Sequence, residues 1–497
     1  MGSDRTDALV VGAGPNGLAA AVVLAAAGLS VRVLEAAHEI GGGCRTEELT
    51  LPGFRHDVCS AAHPLAAASP FFRRFGLETH GARLLQPAVP FAHPLGGDRA
   101  VAALRGVDET AASFGRDDRR AYRRLLGPLA SEPDRLAAAA LSSHRTAAGA
   151  RTGARLVASG WRSTESLVRR FEGTGPRALL AGAGAHAMRP LTAPATGGVT
   201  LFLTSLAHGV GWPVVEGGSA GIVAAMAAFL AERGGAVVTG ETVRSLSALP
   251  AARVVLLDVS PRGLLAIAGD QLPDRYAHQL RRFRYGPGVC KVDWALDGPV
   301  PWSAHACRRA GTVHVGGTLE EIGAAEADVA GGRHPERPFV LAVQPGVADP
   351  TRAPAGKQTF WTYCHVPAGS DRDMSEAIAS QVERFAPGFR DLVLAKSVRS
   401  AARMEAENAN YVGGDIACGL QDARQTLARP AARWNPYRVP LRGVYLCSSA
   451  TPPGPGVHGR CGELAAMWAL RDMFGIRSAD LGDHPQRGAP RRAHRGG

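Results

Sequence analysis

The stretch Ala8-Leu9-Val10-Val11-Gly12-Ala13-Gly14-Pro15-Asn16-Gly17-Leu18 decides the fold. Ala8 to Val11 is a short, continuously apolar run of the kind buried in a parallel sheet. Pro15 to Ala27 is alanine-rich and reads as a helix, with Gly28 placed for a left-handed C-terminal cap. Val31 to Leu34 is a second strand, so residues 7–35 form one strand–helix–strand unit. The three glycines have separate tasks. Gly12 permits a tight turn, Gly14 lets a pyrophosphate approach the backbone, and Gly17 lets the helix sit close to the sheet. The helix N-terminus at Pro15 and Asn16 offers free N–H groups and a positive dipole end to phosphates. Glu35 ends the second strand, 23 residues after Gly12, where a carboxylate bonds ribose hydroxyls; Ala36 follows it on the same edge.

A second glycine cluster, Gly41-Gly42-Gly43-Cys44-Arg45-Thr46, follows at once. It lets the chain pass close to the same dinucleotide, with Arg45 available to phosphate or flavin and Thr46 to a hydroxyl contact. Enzymes that use NAD have no general need of such a loop, so the cofactor read from it is FAD. Cys44 and Cys461 are the thiols that a covalent flavin would use, but buried structural thiols are far commoner, and the expected FAD is non-covalent.

Around this unit the chain is ordinary in composition and unusual in charge. At 497 residues it exceeds one compact core. The net charge of +12 comes from arginine, since Lys291, Lys357 and Lys396 are the only lysines. The arginines are scattered except in the Gly-, Pro- and Arg-rich tail, so no nucleic-acid partner is expected and peripheral contact with acidic lipid is the surviving reading. Eight cysteines without a C-x-x-C pair indicate neither a zinc site nor a dithiol motif, so no metal is expected and the compartment reads as the reducing cytoplasm. The apolar stretch from Ala8 to Leu34 is broken by Gly12, Gly14, Pro15, Asn16 and Gly17 and so reads as strands and helix, not as a membrane span.

The expected architecture is α/β: an FAD-binding, Rossmann-like three-layer domain with the GxGxxG signature, plus a discontinuous substrate domain of mixed sheet and helices. The pattern divides as 1–97, first part of the FAD domain; 98–214, a helical insertion into the substrate domain; and 215–288, second part of the FAD domain. Then come 289–425, the substrate-domain sheet; 426–477, third part of the FAD domain; and 478–497, the basic tail.

The run of strand, Gly12 to Gly17, Leu34-Glu35-Ala36 and Gly41 to Thr46 resembles the phytoene desaturase and amine oxidase superfamily of FAD enzymes. Pro52-Gly53-Phe54-Arg55-His56-Asp57-Val58-Cys59-Ser60 is similar to a segment of that superfamily, and the likeness is greatest to the branch named after pyridine nucleotide-disulphide oxidoreductase domain-containing protein 2. The resemblance implies that Val243 touches the adenine through its backbone. It also implies that Ala450, Gly456, Val457 and His458 lie in a C-terminal flavin motif whose following helix points at the pyrimidine end of the flavin. The chain departs from the pattern at Ser448-Ser449-Ala450, where relatives carry glycines.

The strand Trp361-Thr362-Tyr363-Cys364-His365-Val366 alternates, putting Trp361, Tyr363 and His365 on one face. That face is either an aromatic wall for substrate, with Trp361 and Tyr363 as contacts, or cross-strand core. His458, Tyr411 and His365 are the candidate catalytic residues, and His63 is a weaker one. The resulting expectation is hydride transfer between a C–H bond of an apolar small molecule and flavin N5, with oxygen, a quinone or a protein as electron acceptor. The rivals are a flavin amine oxidase, a reduced-flavin isomerase or cyclase, and a non-catalytic carrier of prenylated partners built like the GDP dissociation inhibitors.

Overall fold

The structure, a computed structural model, describes residues 6–142 and 150–477. Five parallel strands make the first sheet, in the spatial order Val444–Leu446, Ala252–Leu257, Thr6–Val11, Val31–Leu34 and Ala236–Val238. All are short and largely apolar, with the burial least in the edge strand Ala236–Val238. On one face the helix Pro15–Ala26 is clasped between the helices Ala220–Ala231 and Arg460–Phe474. Leu18, Val22, Met226, Phe229, Ala465 and Ala469 fill that layer. On the other face the helices Pro261–Ala268 and Asp274–Arg281 pack Leu264 and Tyr276 on Val11, Leu257 and Leu446. This is the expected three-layer, doubly covered sheet. The sequence order of its strands shows that the domain is assembled from three separated stretches of chain.

The second sheet has seven strands in the order Val393–Arg399, Gly288–Leu296, Gln358–Val366, Val340–Val343, Ala310–Val315, Val89–Gly96 and Arg99–Ala103. Its pairs are antiparallel except Ala310–Val315 with Val89–Gly96. Period-two alternation sorts its residues. Val292, Trp294, Phe360 and Cys364 face the helix Ser375–Phe385. Val289, Leu341, Trp361 and Tyr363 face the opposite way. A third, helical region, including Arg116–Ala130, Thr174–Ala185 and Thr196–Gly209, closes over that side around Tyr122, Leu126, Leu179 and Leu206.

Two features differ from the sequence reading. That reading places residues 89–97 in the FAD domain, yet Val89–Gly96 and Arg99–Ala103 form a hairpin at the edge of the second sheet. The segment 289–425, read as the substrate-domain sheet, also contains the helix Leu319–Ala330, opened by Thr318, whose hydroxyl accepts the Glu321 N–H. The tail 478–497 lies outside the described residues. Among the described residues no helix is long and apolar enough to cross a membrane.

Candidate active site

The site begins at the turn after Thr6–Val11. Gly12 takes φ +100°, and its N–H donates to Leu34 O at 2.8 Å. A Cβ on Gly17 would stand 2.0 Å from Gly12 O, so only glycine lets this helix start against this strand. The second glycine loop folds back over the first: Gly41 N–H donates to Ala13 O at 2.9 Å, and a Cβ on Gly42 would lie 3.2 Å from Gly14 Cα. Glu35 accepts the Ala13 N–H at 2.6 Å and the Ala37 N–H at 2.9 Å, which fixes its carboxylate at the end of the sheet beside the exposed Ala36. Val243 packs on the same sheet's second face, and Glu241 N–H donates to Glu35 O at 2.8 Å.

Two helix N-termini meet here. A Cβ on Gly462, in the first turn of Arg460–Phe474, would fall 1.9 Å from Asn16 O. The positive dipole ends of Pro15–Ala26 and Arg460–Phe474 therefore converge on one place. Asn16 is buried, donates through Nδ2 to Ser449 Oγ at 3.1 Å, and keeps Oδ1 without a partner. These groups fit a dinucleotide: backbone that only glycine can form, two dipole ends and an unsatisfied buried amide oxygen. Ser448, Ser449, Gly456 and Val457 line the adjoining cavity, whereas Ala450 does not and packs with Phe283 and Cys418. At the departure noted in the sequence, the cavity residues are thus the two serines.

A cavity of about 700 Å³ runs from Gly14, Asn16, Gly42 and Gly43 to the face of the second sheet. Trp361 and Tyr363 stand on its wall, their rings 5.1 Å apart and nearly perpendicular. Tyr411 lines it too; its hydroxyl bonds Cys59 and lies 2.4 Å from where a Cβ on Gly43 would be. Burial and the neighbouring Cys59 push the Tyr411 phenol well above its ordinary value, so it stays protonated.

Other candidates are placed differently. His365 shares the strand face of Tyr363 but is covered by the helix Leu319–Ala330, where Glu326 meets its Nδ1 at 2.7 Å. It does not line the cavity. His458 is fully buried, with Nε2 at 3.1 Å from Gly454 O and Nδ1 accepting the Arg460 N–H at 3.0 Å. Burial lowers its pKa to about 4. Both ring nitrogens meet the loop backbone, the arrangement of a histidine that fixes its own loop. Thr46 is also committed: its hydroxyl donates to Asp57 and accepts the Ala220 N–H. Arg45 pairs with Glu47 at 3.5 Å. His63 lines the cavity and meets Ser219 Oγ at 3.0 Å.

Three groups escape sequence reasoning. Asp258, just past Ala252–Leu257, is half-buried at the cavity wall against Gly12 and Gly14 and accepts the Gly17 N–H at 2.8 Å. Burial first, and Glu35 in addition, raise its carboxyl to about 7, against the Gly17 hydrogen bond. Behind the aromatic wall, buried Lys291 is ion-paired with Asp293, whose neighbours include Arg399 at 3.6 Å and His56 at 3.6 Å. Nearby, Arg352 bonds Asp57 at 2.7 Å; burial works to raise Asp57, but the Arg352 guanidinium and the Ser219 N–H hold it below its ordinary value. At the far end of the cavity, His186 bonds His314 through Nε2 to Nε2 at 3.0 Å.

The two-domain fold, with a glycine cradle opening onto a walled cavity, is shared with solved oxidoreductases. Residues 10–75 match the family model of the NAD(P)-binding Rossmann-like domain. The chain is similar to pyridine nucleotide-disulfide oxidoreductase domain-containing protein 2 of Mus musculus, 28% identical with 94% of each chain covered. A shorter match, 38% identical over 85 residues, covers 17% of the chain and 15% of one of the subunits of the limonene dehydrogenase of Castellaniella defragrans. Putrescine oxidase shares the fold, with a TM-score of 0.62 at 16% identity, 95% of this chain and 99% of that one covered.

Proposed function

We propose that the protein is an FAD-dependent oxidoreductase, similar to phytoene dehydrogenases, that transfers hydride between a C–H bond of an apolar small molecule and the flavin. The cradle residues would be Gly12, Gly14, Asn16, Gly17, Glu35, Gly42 and Gly43, with Ser449, Gly456 and Val457 closing the flavin side. Bound FAD supplies the hydride-accepting N5. The chain supplies orientation, exclusion of water and a dry wall of Trp361, Tyr363, Leu341 and Val343. A carrier of prenylated partners has no use for a pyrophosphate cradle, which weighs against that reading.

One observation carries the substrate class. Among the described residues, no Lys, Arg or Glu lines the cavity, and its only acid is Asp258 at the cradle end. Neither the hydrocarbon in one relative's name nor the diamine in the neighbouring oxidase's name decides this; the uncharged wall supports the apolar class. The purified protein is expected to show two flavin absorption bands and to release FAD on heating. Those bands should bleach anaerobically with terpenoid or polyene donors, and recover with oxygen or a quinone. A colourless protein that takes up no FAD overturns the cofactor, and bleaching by charged amines alone overturns the substrate class.

The cavity mouth also supports peripheral membrane contact. Val157, Trp161 and Leu427 line the cavity while remaining 64%, 52% and 68% exposed. Exposed Arg151, Arg155, Arg162 and Arg424 lie beside them in the chain. An apolar rim flanked by arginines suits acidic lipid. The protein is expected to sediment with phosphatidylglycerol vesicles at low salt, release as salt rises, and ignore phosphatidylcholine vesicles. Equal partition into both kinds of vesicle, or none, removes this role.

A further inference from the structure

The face of the second sheet that looks into the cavity is not uniformly apolar. One rung across it reads Phe91, Thr312, Val343, Trp361 and Asp293 on five adjacent strands. The next reads His314, Leu341, Tyr363, Lys291 and Arg399. Charge collects at the Lys291 end, where its ammonium lies 5.5 Å from the centre of the Trp361 ring and is ion-paired with Asp293. At the other end stand uncharged polar groups. Trp212 packs its ring 5.3 Å from Phe91 and 6.0 Å from His186, and Phe91 is the direct neighbour of Thr312. At strand spacings of about 4.8 Å, Thr312 and Trp361 are separated by about 10 Å.

Three of these side chains hold buried polar atoms that nothing in the protein satisfies: Thr312 Oγ1, Trp212 Nε1 and Trp361 Nε1. All three side chains line the cavity, and each is at most 4% exposed. His186 lines it as well, with Nε2 committed to His314. Buried polar groups without partners are rare because each costs free energy, and five around one cavity, these three with Asn16 Oδ1 and His63 Nδ1, point to bound molecules. An indole N–H only donates, so its partner must be an acceptor. An ammonium has donors alone and would leave both indoles unsatisfied. A carboxylate would enter a region where, among the described residues, no Lys or Arg lines the cavity and the nearby Lys291 is paired with Asp293. Burial lowers the pKa of His186 to about 3, so it adds no charge.

We infer that the cavity takes an apolar molecule bearing a neutral oxygen acceptor, a ketone, alcohol or ester, held by Trp212 and Thr312 beside His186. The inference rests on the apolar-substrate reading above and narrows it, from hydrocarbon to oxygenated terpenoid or similar. Limonene and carvone make the test, because carvone is the same skeleton with one ketone oxygen. Their affinities for the flavin-loaded protein are measured by calorimetry in the parent and in Thr312→Val, which removes one donor at nearly constant volume, and in Trp212→Phe, which removes the other together with three ring atoms. Carvone is expected to weaken in each variant, and by about tenfold when the two are combined, the loss of two neutral hydrogen bonds. Limonene is expected to change by less than about twofold in Thr312→Val, which also reports that the cavity has kept its shape. Parallel weakening of both ligands in Thr312→Val, or an unchanged carvone affinity, overturns the oxygen site while leaving the apolar cavity standing. Failure of both terpenes to bind the parent overturns the apolar reading and this one with it.

Discussion

Gly17→Ala is expected to leave the protein folded but nearly free of flavin, with its affinity for added FAD reduced by about 100-fold or more. The added Cβ would stand 2.0 Å from Gly12 O and 3.2 Å from Asp258 Cβ. The first of these is backbone, held by the Gly12 N–H bond to Leu34 O at 2.8 Å, so it cannot step aside as a flexible side chain would. Strand end and helix start must part instead, and the N–H groups that face the pyrophosphate move with them. Each charge-assisted hydrogen bond to phosphate is worth about 1.5–3 kcal/mol, so misplacing two of them gives a loss of this size. Gly28→Ala is the control. Gly28 also has positive φ, +81°, but a Cβ there meets nothing within 4 Å. It should lower Tm through a backbone cost of about 1 kcal/mol and leave flavin content intact. The ratio of flavin to protein absorbance, with a titration of the flavin-free protein, separates the two. A stoichiometrically loaded Gly17→Ala protein would remove the cradle from this turn.

What could be read from the sequence was whatever is local. The turn from Gly12 to Gly17, the helix it opens and Glu35 lie within one strand–helix–strand unit, and each glycine's duty follows from its spacing. Alternation likewise sorted Trp361, Tyr363 and His365 onto one face. It could not say where that face is open: the helix Leu319–Ala330 brings Glu326 onto His365, and nothing in the strand signals that cover. His458 reads from its neighbours either as an acid/base at a flavin edge or as a histidine that bonds nearby backbone. Its duty is set by the loop's own curl, which turns Gly454 O and the Arg460 N–H onto its ring. Asp258 was missed because it reaches Gly17 only when Ala252–Leu257 pairs with Thr6–Val11, across 241 residues of sequence. Lys291 and Asp293 look like ordinary solvent-facing positions of an alternating strand. They are charged groups inside the molecule because the second sheet is covered on both faces.

Asp258 has the second large consequence, in pH. It sits in the cradle with Glu35 as the other acid acting on it and the Gly17 N–H as its hydrogen-bond donor. Burial, more than Glu35, carries its carboxyl from 3.8 to about 7. Because the folded value is raised, the stability it contributes is full below about pH 4 and is lost as pH rises through about 7. That loss amounts to about 4 kcal/mol in the flavin-free protein. A pyrophosphate brought to the same helix end adds like charge and raises the carboxyl further, so binding takes up a proton. FAD affinity of the parent is therefore expected to be flat in acid and to fall by up to about tenfold per pH unit above about pH 7. Asp258→Asn keeps an oxygen to accept the Gly17 N–H and has no proton to lose. Its affinity should be independent of pH and, at pH 8, stronger than the parent's by about tenfold. Equilibrium titration of flavin-free protein between pH 5.5 and 9 reads both curves. An Asp258→Asn protein that binds FAD more weakly at every pH would mean that the carboxylate is ionised and needed as an acceptor for a cofactor hydroxyl. The acid would then belong to the cradle's affinity and not to its pH response.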